Sequence, residues 1–269
     1  MSDLTGRVAL ITGAARGQGR SHALRLAADG ADLVLCDVCA EFETTDYPGA
    51  TVEELEETVR LVEKTGRKVL ARQADVRDLP ALQSLVDDAI AEFGRLDIVV
   101  ANAGVMSAAK AWELTPEQWK EVIDVNLTGV FYTLKATVPA MIAAGNGGSI
   151  VVISSAAGRK GAPFVAHYSA SKHGLVGLAR TFALELGEYD IRVNTVHPVG
   201  VATQMVAGPT LPSLLPSIAL TIGPTYMNTL PYDFLKPEAV SNMVAWLSGD
   251  ESRYCTGAQF VVDLGNTSR

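Results

Sequence analysis

Short apolar runs rich in β-branched residues recur along the chain, separated by longer segments whose apolar positions repeat every three or four residues. The runs predict strands over 8–11, 33–36, 69–71, 98–100, 150–153, 191–193 and 260–262. The intervening segments predict helices near 18–29, 52–65, 79–93, 117–144, 167–188 and 237–248. The strand candidates are apolar throughout instead of alternating, so both their faces must be covered. Strand–helix alternation of this kind is the signature of a doubly wound α/β fold with a parallel sheet. It runs almost to the C-terminus without a linker, so residues 1–269 are expected to form one domain.

Two stretches interrupt the rhythm. Residues 38–50 follow the second strand with a loop-like segment containing Phe42, Tyr47 and Pro48. Residues 203–236 hold five of the twelve prolines among Leu, Ile, Met and Tyr. Proline limits regular structure there, while the apolar content argues against disorder. Such a segment in a compact domain is expected to be a lid or binding loop, the alternative being a structural excursion packed on the sheet edge.

Composition narrows the function. A net charge of -8, with Lys and Arg scattered, argues against a nucleic-acid partner, because phosphate neutralisation needs clustered cations. Three cysteines provide no disulfide framework. Cys36 and Cys39 form a lone CxxC with no second half to complete a metal site, so they are expected to be structural. The N-terminal residues lack the basic and apolar regions of a signal peptide, and no uninterrupted apolar run reaches the ~20 residues of a membrane span. The expected setting is soluble and cytoplasmic.

Candidate chemistry begins after the first strand, where Thr12-Gly13-Ala14-Ala15-Arg16-Gly17-Gln18-Gly19 opens a helix. Glycines permit a tight turn and close backbone approach, and the helix N-terminus offers free N–H groups to a pyrophosphate. Asp37, 18 residues beyond Gly19, ends the second strand, where a carboxylate accepts the adenosine ribose hydroxyls and repels a 2′-phosphate. Arg16 pulls the other way, since a guanidinium in the glycine turn can pair with that phosphate. The strand-end carboxylate is the more direct determinant and favours NAD over NADP. Asp75-Val76 and Asn102-Ala103-Gly104 end the third and fourth strands. There a short polar side chain can meet the adenine edge, and small residues let a cofactor pass close to the backbone.

Tyr168 and Lys172 lie one helical turn apart on one face. A free tyrosine, with a pKa of about 10, is a poor base at neutrality, and a neighbouring ammonium favours its phenolate. Alone, such a pair is an ordinary helix face. Ser155, 13 residues before Tyr168, can donate to the same substrate oxygen, and Asn126 follows the fourth strand. Strand alternation sends Ser154 and Ser155 in different directions, so only one should reach the substrate. His22, His167, His173 and His197 form no metal-ligand pattern. Trp112, Trp119 and Trp246 are expected to pack against core or interface.

Taken together, the glycine motif, Asp75, Asn102-Ala103-Gly104, Asn126, Ser155, Tyr168, Lys172 and the terminal Gly257…Val262-Asp263…Gly265 region resemble the short-chain dehydrogenase/reductase family over nearly the whole chain. The resemblance implies a Rossmann domain with a seven-stranded sheet in the order 3-2-1-4-5-6-7, and commonly a homotetramer. It implies Asn126, Ser155, Tyr168 and Lys172 as the catalytic tetrad, with Asn126 supporting a water-mediated proton relay through Lys172. Lys172 would also bond the nicotinamide ribose, and residues around Pro198, Val201 and Thr203 would hold the nicotinamide. The chain departs from the family's pattern at Gln18, where an apolar residue is usual, at Val199, which separates Pro198 from Gly200, and in the longer 38–50 connection. These departures resemble the mycofactocin-associated, carveol-dehydrogenase-like subgroup. That likeness implies a buried, slowly exchanging NAD covered at its adenosine end by 38–50, and a mycofactocin-type redox partner.

The reading that follows is NAD-dependent interconversion of a secondary alcohol and a ketone, on an apolar, cyclic or terpenoid-like substrate. One rival is an NADPH-dependent 3-oxoacyl-thioester reductase, which predicts a basic residue where Asp37 stands. Another is a non-catalytic dinucleotide-binding scaffold, which would be expected to have lost the tetrad.

Overall fold

The computed structural model describes residues 2–268. Its strands are β1 (Val8–Thr12), β2 (Asp32–Asp37), β3 (Val69–Gln73), β4 (Ile98–Ala101), β5 (Gly148–Ile153), β6 (Ile191–Pro198) and β7 (Gln259–Val262). They form one parallel sheet in the order β3-β2-β1-β4-β5-β6-β7, as the resemblance implied. The helices are α1 (Gly17–Ala28), α2 (Val52–Glu63), α3 (Leu79–Phe93), α4 (Pro116–Ile123), α5 (Gly129–Ala144), α6 (Ala166–Leu186), α7 (Thr210–Leu214) and α8 (Pro237–Ser248).

Strand alternation divides the core. On β1, Val8 and Leu10 join Leu82 and Leu85 of α3, Leu134 of α5 and Leu175 of α6. Ala9 and Ile11 face the other way, toward Leu26 of α1, Leu55 of α2 and Val244 of α8. The two layers explain why the strands read as uninterrupted apolar runs. The order reverses between β1 and β4, and ligands bind at the carboxyl ends beside such a switch point.

The predicted helix over 117–144 is not uniform. Asp124–Thr128 forms a π turn between α4 and α5, closed by Gly129 N–H donating to Asp124 O. By length and apolarity the whole stretch Pro116–Ala144 could cross a membrane. Here Val130, Leu134 and Met141 are buried in the core against the sheet. Trp246 packs edge-on against Phe260, centroids 5.5 Å apart. Trp112, expected in a core or interface, is 81% exposed in this chain because it lies in the turn before α4.

Candidate active site

The glycine turn is built to let another chain pass close. Gly13 has φ +67°, and a Cβ there would lie 2.9 Å from Ala103 Cα. A Cβ on Gly19 would lie 1.9 Å from Gly13 O. Thr12 Oγ1 accepts from the backbone N–H groups of Asn102 and Ala103, both at 3.1 Å, while Asn102 Nδ2 donates back to Thr12 O at 2.9 Å. The ends of β1 and β4 are thus stitched together beneath the turn. From behind, Arg20 donates to Ala15 O and Glu54 O, and the Thr58 hydroxyl donates to Ala15 O at 2.9 Å. Sequence reasoning missed both supports, which only the packing of α1 on α2 brings to the turn.

Asp37 is buried at the end of β2. Its two oxygens accept from Ala15 N–H at 3.0 Å and Cys39 N–H at 3.2 Å. Burial raises its pKa, and these backbone donors with the Arg16 charge act in opposition. Each oxygen keeps acceptor capacity for a ribose hydroxyl. Arg16 itself donates to Pro48 O and lies 3.5 Å from Glu54 Oε2. Its guanidinium is therefore occupied by the insertion and by α2, which weakens its claim on a 2′-phosphate.

A cavity of about 690 Å³ joins Gly13, Gly17, Asp37, Val76, Ala103 and Thr203. Asp75 also borders it, but its carboxylate is clamped by Arg77, with Nη2–Oδ2 at 2.6 Å. Asp75 is held well oriented by that guanidinium, which in turn lies 5.3 Å from the Phe42 ring centroid. Phe42, Tyr47, Gly49 and Ala50 from segment 38–50 line the same cavity. Tyr47 Oη accepts from Met106 N–H at 3.0 Å, and Asp46 Oδ2 accepts from Thr210 N–H at 2.7 Å. The insertion thus touches both the loop after β4 and the segment 203–236.

A second cavity of about 680 Å³ shares Gln18, Asn102, Gly104 and Thr203 with the first, and includes Val201, Ser155, Tyr168 and Lys172. Its wall is largely apolar and drawn from 203–236, including Met205, Leu211, Leu215 and Phe234. Tyr168 is half-buried and shares this cavity with Ser155; burial raises its pKa, and the Ser155 hydroxyl acts to lower it. Lys172 Nζ donates to Ile153 O at 2.8 Å and lies 5.4 Å from the Tyr168 ring centroid. Burial pulls the Lys172 ammonium down to about 7. The expected help of that charge to a phenolate is therefore opposed by the burial of both groups, while the Ser155 hydroxyl acts the other way.

Ser154 and Ser155 do part company. Ser154 Oγ donates to Lys172 O at 2.9 Å, which ties β5 to α6. Ser155 Oγ accepts from Ala157 N–H at 3.1 Å at the start of a short turn. Asn126, fully buried in the π turn, pairs with Val105 in both directions: Oδ1 accepts its N–H at 2.8 Å and Nδ2 donates to its carbonyl at 2.9 Å. A Cβ at Gly104 would stand 3.4 Å from Asn126 Oδ1 and 3.6 Å from Lys172 Nζ. Glycine leaves that gap open between them, where the relay implied by the resemblance would run.

His167 is buried, lies 2.9 Å from Ser107 Oγ through Nε2, and is held near pKa 4 by burial. It is a neutral packing group here, not a second base. Cys36 is buried in β2, and Cys39 is pushed up to about 12 by burial and by the Asp37 charge, so neither is an activated thiol.

Known proteins place this geometry. The short chain dehydrogenase family matches residues 7–210. An NAD-dependent oxidoreductase of Mycobacterium tuberculosis is 54% identical, covering 97% of this chain and 96% of the relative. The (-)-trans-carveol dehydrogenase of Rhodococcus erythropolis is 46% identical over 99% of both chains. The crystal structure of carveol dehydrogenase from Mycobacterium avium in complex with NAD superposes with a TM-score of 0.95 at 45% identity, covering 100% of both chains. With the sheet order, the glycine turn and the Ser155–Tyr168–Lys172 arrangement, these likenesses establish that the chain belongs to the short-chain dehydrogenase family and is an oxidoreductase.

Proposed function

We propose that the protein is an NAD-dependent dehydrogenase that interconverts a secondary alcohol and a ketone on an apolar, cyclic substrate. The observation that carries this reading is the convergence of Ser155, Tyr168 and Lys172 on one largely apolar cavity, set where it meets the glycine-turn cavity. Bound NAD would supply the hydride acceptor, held by the α1 N-terminus, Asp37, Val76, Asn102 and Thr203. In alcohol oxidation, Tyr168 as phenolate takes the hydroxyl proton, and Ser155 donates a hydrogen bond that orients the same oxygen. Lys172, when protonated, sets a positive charge beside the phenolate, and with a pKa near 7 it can exchange protons with a water relay that Asn126 supports. The apolar wall from 203–236 excludes water and favours hydrocarbon rings, in keeping with the carveol dehydrogenases among the relatives.

Asp37, buried at the end of β2, opposes the NADPH-dependent 3-oxoacyl-thioester reductase. Assembly of Asn126, Ser155, Tyr168 and Lys172 around one junction opposes a non-catalytic scaffold.

The proposal extends to exchange and partners. The insertion 38–50, held by Arg16, Met106 and Thr210, is a cover under which NAD exchanges slowly, with a mycofactocin-type carrier as the electron acceptor. The unpaired Cys36, Cys39 and Cys255 suit a reducing, cytoplasmic setting. Phe131 on α5 and Leu184 on α6, 39% and 85% exposed, suit burial in a homotetramer. The deciding experiment is a screen of cyclic secondary alcohols and their ketones with NAD and with an artificial electron acceptor. Turnover that persists in Tyr168→Phe would overturn the mechanism. Denaturant-released NADP in place of NAD would overturn the cofactor assignment, and release of no nucleotide would overturn slow exchange.

A further inference from the structure

We infer that His197 is a positioning residue for Ser155, its imidazole fixing the peptide from which the Ser155 hydroxyl is aimed at the reacting oxygen. The inference rests on the reading of Ser155 given above. Ser155 lies beyond the end of β5, where the ladder no longer holds the chain. Ser154 N–H still donates to Val196 O at 2.8 Å, but β6 ends at Pro198, which has no N–H to offer. His197 fills the gap: its fully buried ring places Nδ1 2.8 Å from Ser155 O and Nε2 2.8 Å from Thr195 Oγ1.

The tautomer follows from the partners. Burial holds the ring near pKa 4 against the raising effect of its bond to Ser155 O, with Arg159, Lys172 and His173 adding to burial, so it is neutral. A carbonyl accepts only from a donor. The single ring proton is therefore on Nδ1, donated to Ser155 O, and Nε2 accepts from the Thr195 hydroxyl. Gly158 N–H is the second donor to Ser155 O, at 2.9 Å. With φ −168° and ψ 162°, Ser155 is extended backbone, and its side-chain direction follows the orientation of that peptide. A shift of about 1 Å at a reacting group costs on the order of a hundredfold in rate, so this anchor has kinetic consequences although His197 itself touches no substrate.

The test combines His197→Leu, Ser155→Ala and the double variant. His197→Leu is expected to lower kcat about 10- to 100-fold with NAD affinity unchanged. It should also raise the kinetic pKa assigned to Tyr168, as Ser155→Ala does, because the first misplaces and the second removes the hydroxyl that acts to lower it. In the Ser155→Ala background His197→Leu should cost almost nothing more, since the group it positions is gone. Equal losses in both backgrounds, or an unchanged rate and pKa in His197→Leu, would overturn the inference. Unchanged turnover in Ser155→Ala would instead remove the reading of Ser155, and the inference with it.

Should the leucine variant not fold, His197→Asn and His197→Gln decide. The asparagine amide can reach the Nδ1 position and should restore kcat, whereas the glutamine amide reaches toward Nε2 and should not. Equal rates in the two variants would overturn the inference. Independently of turnover, proton–nitrogen NMR should show a slowly exchanging Nδ1–H on His197. A proton on Nε2 in its place would overturn the assignment.

Discussion

At the carboxyl edge of the sheet, several candidate functional side chains are tied to backbone. Asn126 pairs with Val105, Lys172 with Ile153, and Asp37 with Ala15 and Cys39. The segment 203–236 is made differently. Its regular structure amounts to the five-residue α7 and short turns, and Leu220, Tyr232 and Phe234 are 100%, 63% and 52% exposed. It is tied to the rest of the chain mainly through turns and its margins, by Thr210 N–H to Asp46, Tyr226 Oη to Pro163 O, and the N–H groups of Thr229 and Leu230 to Leu264 O. The reacting groups need fixed positions, which a sheet edge supplies at low strain. The wall that meets the hydrocarbon part of a substrate needs shape and apolar surface more than fixed hydrogen bonds. On the proposed function, the contrast separates chemistry, placed on the sheet edge, from selectivity, placed on the segment 203–236.

The sharpest way to break that division is at Tyr168. Tyr168→Phe should reduce turnover by about 10²- to 10⁴-fold while calorimetry finds NAD affinity within a few-fold of the original. A comparable loss of NAD binding would mean that the two cavities do not act separately. Asp37→Ala comes next: it removes the ribose acceptor and strands the N–H groups of Ala15 and Cys39. Weakening of NAD by about 10- to 100-fold is expected, from the net loss of one charge-assisted hydrogen bond at about 1.5–3 kcal/mol. Preference should move toward NADP, and equal NAD affinity would remove Asp37 from the site.

Acid separates the two regions through stability. His22, His167 and His197, on α1, α6 and β6, are held by burial near pKa 3, 4 and 4, whereas 203–236 contains no histidine. Their folded values lie below the unfolded value of about 6.5. The unfolded chain therefore takes up protons first as pH falls below about 6.5, and stability is lost toward pH 4 by up to about 1.4 kcal/mol per pH unit for each group. Above pH 6.5 their contribution is complete. Chemical denaturation from pH 7 to 4 measures it, and a flat profile would contradict burial of the neutral rings. Phe234→Ala should have a smaller, selective effect. It should change KM among cyclic alcohols several-fold with kcat and Tm nearly constant, because the ring is half exposed and lines both cavities. A large fall in Tm would make the lid part of the core.

Much of the sheet edge could be read in the sequence because its residues stand at strand ends and at helical spacing, as Asp37, Asn102, Tyr168 and Lys172 do. Strand β6 was harder. It runs to Pro198, five residues past the predicted end at 193, because Asn194, Thr195 and His197 are polar yet buried and bonded, Asn194 Nδ2 donating to Cys255 O at 2.7 Å. A polar residue whose partner lies on another strand reads as loop in a hydropathy pattern. The π turn around Asn126 left no trace either, since no glycine or proline falls within Asp124–Thr128 and the helical pattern resumes after it. The Tyr168–Lys172 spacing was visible, but the burial that opposes ionisation of both groups depends on packing. Contacts such as Asp46 to Thr210, 164 positions apart, carry no sequence signal at all.

That last bond has a thermodynamic consequence. Asp46 holds the start of α7, while its neighbour Tyr47 lines the glycine-turn cavity and accepts from Met106. Two coverings that share one short stretch of chain have coupled order, and such coupling is reciprocal: whatever free energy one occupant gains from the other's presence is returned in equal measure. Asp46→Ala should loosen this linkage by about 1 kcal/mol, read as a several-fold smaller effect of substrate on cofactor dissociation. Retention of one ligand would thus be set partly by the other, through a single carboxylate that touches neither reacting atom.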